Sequence, residues 1–237
     1  MWLVVALIVL GAYLLGSIPS GLLISKSQGI DIREHGSKNI GATNVWRVMG
    51  KKWGLLAFFS DTFKGWLAVI IGVTIAARLG YEVPISRGKT AIDFLARDYA
   101  GIAAALGCIL GHNFPVWLRF KGGKGVATSL GVIIGMMPLV SLVIFAIWGL
   151  VLKASRYVSL ASIVAAASLP VVVLAMMFVG PKSAIDGWGY FYFSVAAAIL
   201  VVRRHVPNIS RLMAGTELRF GDPKPTVEPP ADQPSQP

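Results

Sequence analysis

The chain has 237 residues, of which 55% are hydrophobic and only 14% are charged, and its mean hydropathy is +0.69. This composition provides too little polar surface for a water-soluble globule and favours a protein that lies in a lipid bilayer. The net charge of +11 indicates an anionic lipid or an anionic substrate as partner. Nucleic acid is excluded as a partner because the sequence has no soluble basic domain that could bind it.

Six long apolar stretches follow one another along the chain, each near the length that a hydrocarbon core requires. The first begins at the N-terminus without a basic leader, so we interpret it as a membrane helix and not as a cleaved signal peptide. The fourth carries Pro138 near its middle and is either one kinked span or two short helices that turn at residues 136–138. The stretches cover approximately residues 1–24, 54–77, 99–117, 126–152, 157–179 and 188–202.

The basic residues distinguish six spans from seven, because short cytoplasmic loops are enriched in Lys and Arg. With Lys64 inside a span, seven spans place 16 of the 22 basic residues on one side and five on the other, whereas six spans place ten against eleven. We therefore predict an all-α polytopic membrane protein with seven transmembrane helices, the N-terminus outside and the C-terminus in the cytoplasm. Residues 1–220 form this membrane domain, and the Pro-rich residues 221–237 are predicted to be a disordered cytoplasmic tail.

The first of three polar, Gly-rich and basic segments on the predicted cytoplasmic face covers residues 29–47. It shows no helical amphipathicity and places hydroxyl and amide side chains between glycines. Such a loop supplies hydroxyl, amide and backbone N–H groups that can bind phosphate, although an ordinary basic cytoplasmic loop is the alternative. The candidate residues of this segment are Ser37, Asn39, Gly41, Thr43, Asn44 and Arg47.

The second segment, residues 111–129, places the run Gly122-Gly123-Lys124-Gly125 directly before a helix. Glycines allow the backbone to approach an anion closely, the helix N-terminus offers N–H groups, and Lys124 adds a full charge. The run is not a Walker A loop, because a glycine follows the lysine, so nucleotide hydrolysis is disfavoured. His112 is either a ligand or a residue that caps the third span.

The third segment, residues 203–221, brings His205, Asn208, Arg211 and Glu217 to the same interface. His205 is a candidate general base, and an interfacial histidine that caps the last helix is the alternative. Inside the second span, Asp61 and Lys64 lie three positions apart on one helical face and can neutralise one another. A structural and a functional role both remain open for this pair.

Several motifs resemble, in order and spacing, those of the bacterial acyl-phosphate-dependent glycerol-3-phosphate acyltransferases. They are GSIPSG, GSKNIGATN, GHNFPVWLRFKGGKGVAT, RYVSLASI and the final H-x-x-N-I-x-R-L-x-x-G-x-E, and together they cover most of the chain. The chain departs from the family pattern at three places, one of which is the segment from Tyr81 to Asp98, which is longer than the usual second loop. Lys38 stands where a small residue, usually glycine, is expected, and Val206 with Pro207 replaces a more polar pair.

The resemblance implies that the chain transfers a fatty acyl group from acyl phosphate to the 1-hydroxyl of glycerol 3-phosphate, giving 1-acylglycerol 3-phosphate. It further implies a monomer in the bacterial inner membrane, with lipid contacts, no cofactor and no metal. The implied active-site residues are Ser37, Arg47, Lys124, His205 and Asn208. The implied substrate-binding residues are Asn39, Gly41, Thr43, Asn44, His112, Gly122, Gly123, Gly125 and Glu217.

The chemistry of this reaction agrees with the candidate residues. Acyl phosphate already has a good leaving group, so the main task of the site is to neutralise two anionic substrates, which requires cations and oriented N–H groups. The proton of the attacking hydroxyl goes either to His205 or to a phosphate oxygen of a substrate, and we favour the phosphate. A transporter of an organic phosphate is the alternative function, but it predicts broken helices at the bilayer midplane and two similar halves.

Overall fold

The computed structural model describes residues 2–81, 91–179 and 187–222, with the backbone alone for residues 80–81 and 91–98. The described residues form helices and connecting loops, which confirms the all-α prediction. The α-helices are α1 (Trp2–Gly16), α2 (Ser20–Lys26), α3 (Ala42–Met49), α4 (Lys51–Ala76), α5 (Ala91–Asn113), α6 (Val126–Met136), α7 (Pro138–Ser155), α8 (Val158–Phe178), α9 (Trp188–Arg204) and α10 (Val206–Met213). A π-helical turn, Ala77–Tyr81, extends α4, and a 3₁₀ turn, Val116–Leu118, follows α5.

Five helical segments of the described chain are long and apolar enough to cross a membrane. They are Trp2–Lys26, Lys51–Leu79, Tyr99–Leu118, Pro138–Ser155 and Val158–Phe178. Helices α6 and α9 are shorter, with 11 and 17 residues. Large apolar side chains such as Trp2, Leu142 and Phe178 are exposed on the outside of the bundle, as a lipid-facing surface requires.

The first predicted span is interrupted, which the apolar pattern did not indicate. Helix α1 ends at Gly16, and α2 begins at Ser20 after Pro19, which has no N–H to continue the helical hydrogen bonding. The carbonyl oxygen of Ile18 lies at the break, where it accepts hydrogen bonds from the N–H of Ser20 at 3.0 Å and from Nζ of Lys64 at 2.8 Å. The lysine is thus buried in the bundle because a broken helix end provides an acceptor for it.

The second break, at residues 136–138, supports the two-helix interpretation of the fourth stretch. Met137 has non-helical backbone angles, with φ −142° and ψ 69°, and Pro138 occupies the first turn of α7. Arg204, at the end of α9, donates a hydrogen bond to Gly123 just before α6. Arg156, just after α7, accepts a hydrogen bond from the backbone N–H of Phe220. Because those two partners lie at the same end of the bundle, α6 and α7 run in opposite directions.

Close helix packing depends on glycines at several contacts. A Cβ atom added to Gly111 of α5 would collide with the carbonyl of Tyr13 in α1. The same change at Gly131 of α6 would collide with the carbonyl of Thr62 in α4. Small residues allow membrane helices to approach at backbone distance, so these glycines fix how α1 and α6 lie against their neighbours.

Two short amphipathic helices lie in the polar segments. We expected no helical amphipathicity in residues 29–47, and that expectation is wrong for α3, which buries Asn44 and Val45 on one face. The pattern is only eight residues long and follows a Gly-rich stretch that hides it. The second short helix, α10, follows α9 after His205 and buries Asn208. The tail predicted for residues 221–237 lies outside the described residues beyond Asp222, and so do residues 82–90 of the long segment from Tyr81 to Asp98, whose last residues begin α5.

Candidate active site

A cavity of about 570 Å³ is lined by all three polar segments and continues between α6, α7, α8 and α9. Its polar end contains hydroxyl, amide and basic side chains, and its inner end is lined by small and apolar ones. The sequence-predicted residues on its wall are Ser37, Asn39, Gly41, Thr43, Asn44, Arg47, His112, Lys124, Gly125, His205, Asn208 and Glu217. Residues of the inner part include Ile133, Ile144, Ala165, Leu169 and Ala197. A cavity with one basic end and one apolar end matches an amphiphile that has an anionic head group.

Asn44 holds the first polar segment together. Its side-chain Nδ2 lies within hydrogen-bond distance of the carbonyls of Ile32, His35 and Asn39, and its Oδ1 accepts a hydrogen bond from the N–H of Ser37 at 2.8 Å. The side chain is buried. All its polar atoms are therefore engaged within the protein, and its contribution to the site is the shape of the loop that carries Ser37.

The loop residue between Ser37 and Asn39 explains one departure from the family pattern. Lys38 has a φ angle of 58°, in the left-handed region that favours glycine. The preference for a small residue at this position therefore has a backbone cause. Lys38 is exposed and adds a further positive charge at the cavity edge.

Arg47, on α3, supplies one of the charges at the polar end. Its guanidinium is half-buried and makes no hydrogen bond or ion pair with any residue that the structure describes. Burial lowers the pKa of Arg47, while the negative charges of Glu217 and Asp222 oppose that shift. A guanidinium remains charged at any physiological pH, so Arg47 is a half-buried cation without a protein counterion in contact.

Lys124 supplies the second such charge, at the turn into α6. Burial lowers the pKa of Lys124 to about 8, and three nearby arginines act in the same direction while Glu217 opposes it. Within the described part of the chain, no carboxylate or carbonyl forms an ion pair or hydrogen bond with its ammonium group. An anionic ligand in the cavity would therefore find two cations, Lys124 and Arg47, available to bind it.

The glycines before α6 pack against the end of α5. A Cβ atom at Gly122 would collide with the carbonyl of His112, and one at Gly123 would collide with the His112 ring. Gly125 has a φ angle of 80°, and a Cβ there would lie 2.7 Å from Oδ1 of Asn113. Gly122 and Gly123 are absent from the described cavity wall, so they bring the backbone against α5 and do not themselves face the cavity.

Arg204 was missed as a site residue in the sequence, where it counts only as a basic residue after a span. It donates hydrogen bonds from Nε to the carbonyl of Gly123 at 2.9 Å and from Nη2 to the carbonyl of Gly122 at 2.6 Å. The next residue, His205, lies on the cavity wall. The sequence signal that could have indicated Arg204 is its position directly before His205, since neighbouring residues at a helix end can reach two different segments.

His205 is buried, and its Nδ1 lies 2.8 Å from the carbonyl of Val201. A carbonyl can only accept, so the neutral ring carries its proton on Nδ1 and leaves Nε2 without one. Burial lowers the pKa of His205 to about 4, and the charge of Lys124 adds to the shift. The imidazole is therefore neutral near pH 7 and is a weak base.

Glu217 connects α10 to the polar end of the cavity. Its Oε1 accepts a hydrogen bond from Nδ2 of Asn208 at 2.6 Å, and its Oε2 pairs with Nε of Arg211 at 2.7 Å. Burial alone would raise the pKa of Glu217, but hydrogen bonds from Ser159, Asn208 and Arg211 outweigh it and lower the pKa. The ionised carboxylate fixes two donors on the cavity wall, Asn208 and Arg211, and Arg211 was named in the third segment but not included among the implied site residues.

The chain after α10 closes one side of the cavity. Phe220 packs against Trp46 of α3 with ring centroids 5.3 Å apart, and its backbone N–H donates to the carbonyl of Arg156 at 2.6 Å. Nε of Arg219 donates a hydrogen bond to the hydroxyl of Tyr157 at 3.0 Å. Residues 217–220 thus bridge the first polar segment and the turn between α7 and α8.

His112 and the ion pair of α4 lie beneath the polar end. Lys64 and Asp61 are 2.7 Å apart, and Nδ1 of His112 lies 3.7 Å from the same carboxylate oxygen. His112 and Asp61 both reach the cavity wall, whereas Lys64 does not. The carbonyl of His112 also accepts the N–H of Gly123 at 3.1 Å, so the end of α5 joins this buried pair to the glycine run.

Comparison with known proteins adds independent information. Residues 6–215 match the family described as glycerol-3-phosphate acyltransferase. The glycerol-3-phosphate acyltransferase of Acaryochloris marina is 46% identical over 90% of this chain and 91% of its own length, and that of Desulforudis audaxviator is 43% identical over 92% and 96%. The crystal structure of PlsY, an integral membrane glycerol 3-phosphate acyltransferase in its glycerol 3-phosphate form, superposes with a TM-score of 0.74 at 37% identity, covering 92% of this chain and 96% of that one. Its lysophosphatidic acid form gives a TM-score of 0.72 at 36% identity, covering 92% and 95%.

Proposed function

The chain belongs to the glycerol-3-phosphate acyltransferase family of integral membrane proteins, and from that premise we propose that it acylates glycerol 3-phosphate with acyl phosphate as the donor. The products are 1-acylglycerol 3-phosphate and inorganic phosphate, and the reaction is an early step of phospholipid synthesis. The observation that carries the proposal is a cavity with an apolar wall at one end and two cations at the other, Arg47 and Lys124, which contact no counterion among the described residues. Such a cavity accommodates a phosphate head and an acyl chain together.

In the proposed reaction, the 1-hydroxyl oxygen of glycerol 3-phosphate attacks the acyl carbonyl carbon. A new C–O ester bond forms, the C–O bond between the acyl group and phosphate breaks, and its electron pair leaves with the phosphate. Arg47 and Lys124 bind the phosphate charges, and Ser37 and Asn208 provide further polar contacts on the wall. The proton of the hydroxyl passes to a phosphate oxygen, since the low pKa of His205 makes its ring the weaker acceptor at neutral pH.

Product analysis of the purified protein in lipid tests this proposal. The protein is supplied with glycerol 3-phosphate and either acyl phosphate or acyl-CoA, and the lipids are identified by mass spectrometry. We expect 1-acylglycerol 3-phosphate from acyl phosphate alone, and much less from the Lys124→Ala variant. Product from acyl-CoA alone would contradict the donor assignment. Uptake of glycerol 3-phosphate into proteoliposomes without acylation would support the transporter alternative.

We further propose that the chain acts as a monomer in the inner membrane, crosses it seven times and has its active site in the cytoplasm. Support comes from the direction of the helices. The ends of α5, α7 and α9 and the starts of α4, α6 and α8 lie at the polar end of the cavity, where the basic residues are concentrated. Helix α6 is about 16 Å long at 1.5 Å per residue, so this pass requires neighbouring residues to complete it.

Cysteine labelling in intact cells tests the topology. Lys38→Cys and Ser210→Cys introduce exposed thiols at the polar end, and Trp188→Cys introduces one at the start of α9. The native Cys108 is fully buried, so its background should be small. An impermeant reagent should label position 188 in intact cells and positions 38 and 210 only after lysis. Labelling of positions 38 and 210 from opposite sides would contradict the composite site.

A further inference from the structure

Arg204 binds the glycine run in a way that a surface basic residue would not. Its two hydrogen bonds reach the carbonyls of Gly122 and Gly123, two consecutive peptide groups, at 2.6 Å and 2.9 Å. Its guanidinium carbon also lies 5.4 Å from the ring centroid of Phe114, beyond the end of α5. The planar fork of donors fits two neighbouring carbonyls, whereas a lysine ammonium would act as a single point charge.

The first of these peptides bridges two helices. In a trans peptide the C=O and N–H groups point in opposite directions. The Gly122 carbonyl accepts from Arg204 of α9, and the N–H of Gly123 donates to the carbonyl of His112 in α5 at 3.1 Å. The peptide is therefore held from both sides, and its rotation is blocked.

The second peptide has one side bound and one side open. Because the Gly123 carbonyl points to Arg204, the N–H of Lys124 points away from that guanidinium. Among the residues that the structure describes, no acceptor receives a hydrogen bond from this N–H. The same residue carries the cavity cation, so one backbone donor and one ammonium group depend on the orientation of a single peptide.

From these contacts we infer that Arg204 is a positioning residue, which fixes the Gly123–Lys124 peptide so that Lys124 presents its backbone N–H and its ammonium group to a substrate phosphate. The inference rests on the proposed function, since it assumes a phosphate in the cavity. Arg204 is also joined directly to His205, which lies on the cavity wall. The end of α9 therefore sets the spacing between the second and third polar segments.

Arg204→Lys is the most informative variant, because it retains the positive charge and removes the two-carbonyl contact. We expect kcat/KM for both substrates to fall about tenfold or more, the range for losing a charged hydrogen bond, with an unchanged melting temperature. The inhibition constant for inorganic phosphate should rise with it. Arg203→Ala is the matched control, since Arg203 is the preceding residue, is exposed and should leave kcat/KM unchanged.

Arg204→Ala allows chemical rescue. Guanidinium ion at millimolar concentration should restore activity at least severalfold, whereas ammonium ion at the same ionic strength should not. Wild-type kcat/KM in Arg204→Lys, or a folded Arg204→Ala variant that guanidinium does not rescue, would overturn the inference; if Arg204→Ala fails to fold, Arg204→Lys decides alone. Failure of the proposed function is distinguishable, because wild-type protein would then form no acylated product at all.

Discussion

The protein places two lysines in its interior, and their surroundings are opposite. Lys64, in α4, contacts the Asp61 carboxylate at 2.7 Å and the carbonyl of Ile18 at 2.8 Å, with its side chain only 6% exposed. Lys124, at the start of α6, contacts no counterion in the described chain and lies on the cavity wall. The first charge is neutralised by the fold, and the second is left for a ligand.

The difference shows how to separate structural from functional charges in a membrane protein. Burying a charge is costly, so an ion that the protein itself satisfies contributes mainly to the architecture. An ion that the protein buries and leaves unsatisfied raises the free energy of the empty site, and a bound anion lowers it again. By this criterion we expect Asp61 and Lys64 to be structural, and Arg47 and Lys124 to belong to the substrate site.

The largest expected effect comes from breaking the neutralised pair. Lys64→Met leaves Asp61 buried without its counterion and removes one of the two donors to the Ile18 carbonyl, the other being the N–H of Ser20. We expect a loss of about 3–5 kcal/mol in the free energy of unfolding, visible as a lower melting temperature and a lower yield in detergent. Adding Asp61→Asn to the same chain should recover most of that stability. A double variant as unstable as Lys64→Met would contradict the view that the carboxylate and ammonium mainly compensate one another.

Removing the unsatisfied charge should lower activity without lowering stability. Lys124→Ala is expected to lower kcat/KM about a hundredfold or more, in the range for losing one electrostatic transition-state donor, and Arg47→Ala should act similarly. Melting temperatures should be equal to or higher than the wild-type value, because the empty site no longer contains an unsatisfied charge. Arg119, exposed at the same end of the bundle, is the control. An inactive Arg119→Ala variant beside an active Lys124→Ala variant would show that the phosphate site lies elsewhere.

The pH dependence of kcat/KM sharpens the same contrast. The pKa of Lys124 is about 8 in the free protein, and only the protonated form attracts phosphate. Activity should therefore fall above pH 8, approaching tenfold per pH unit, after correction for spontaneous acyl phosphate hydrolysis. Lys124→Arg should move this descending limb upward, because a guanidinium stays protonated. If kcat/KM falls over the same pH range in the wild type and in Lys124→Arg, a group other than Lys124 causes the fall.

A smaller effect is expected at His205. Its pKa of about 4 means that the ring is neutral and weakly basic at pH 7. We therefore expect a phosphate oxygen of a substrate to accept the proton. His205→Gln should reduce kcat only severalfold, with a changed dependence on glycerol 3-phosphate concentration. A loss of about a hundredfold, the range for a general base, would instead make His205 the proton acceptor.

The smallest effect should come from the strained loop residue. Lys38 holds a φ angle of 58°, which costs a non-glycine residue about 1 kcal/mol or slightly more. Lys38→Gly should therefore raise the free energy of unfolding by about 1 kcal/mol or less, since glycine also loses more chain entropy on folding. Thermal melting with and without the substitution measures it. Lys38→Ala keeps the Cβ atom, so it should give no such gain.

The sequence predicted the helical architecture well because long apolar stretches leave few alternatives in a bilayer. The breaks were harder to predict. The break at Pro138 was open to two interpretations. The break before Pro19 was missed because the apolar pattern does not indicate it, and because Lys64, which donates to the Ile18 carbonyl there, is 46 positions away in the sequence. The sequence predicted that the polar segments would lie together at one site. It did not predict Arg204, because a residue that acts through backbone carbonyls has no motif of its own. Contacts that form only in the folded protein cannot be predicted from the spacing of residues along the sequence.

The segment after α10 determines when the site can become complete during synthesis. Residues 217–220 provide the Glu217 carboxylate that pairs with Arg211 and the Phe220 ring that packs on Trp46, although α3 is made much earlier. Proteins are synthesised from the N-terminus, so the helices can insert and pack while this wall of the cavity is still missing. We therefore expect this wall of the cavity to be complete only after residues 217–220 have been made, well after α3.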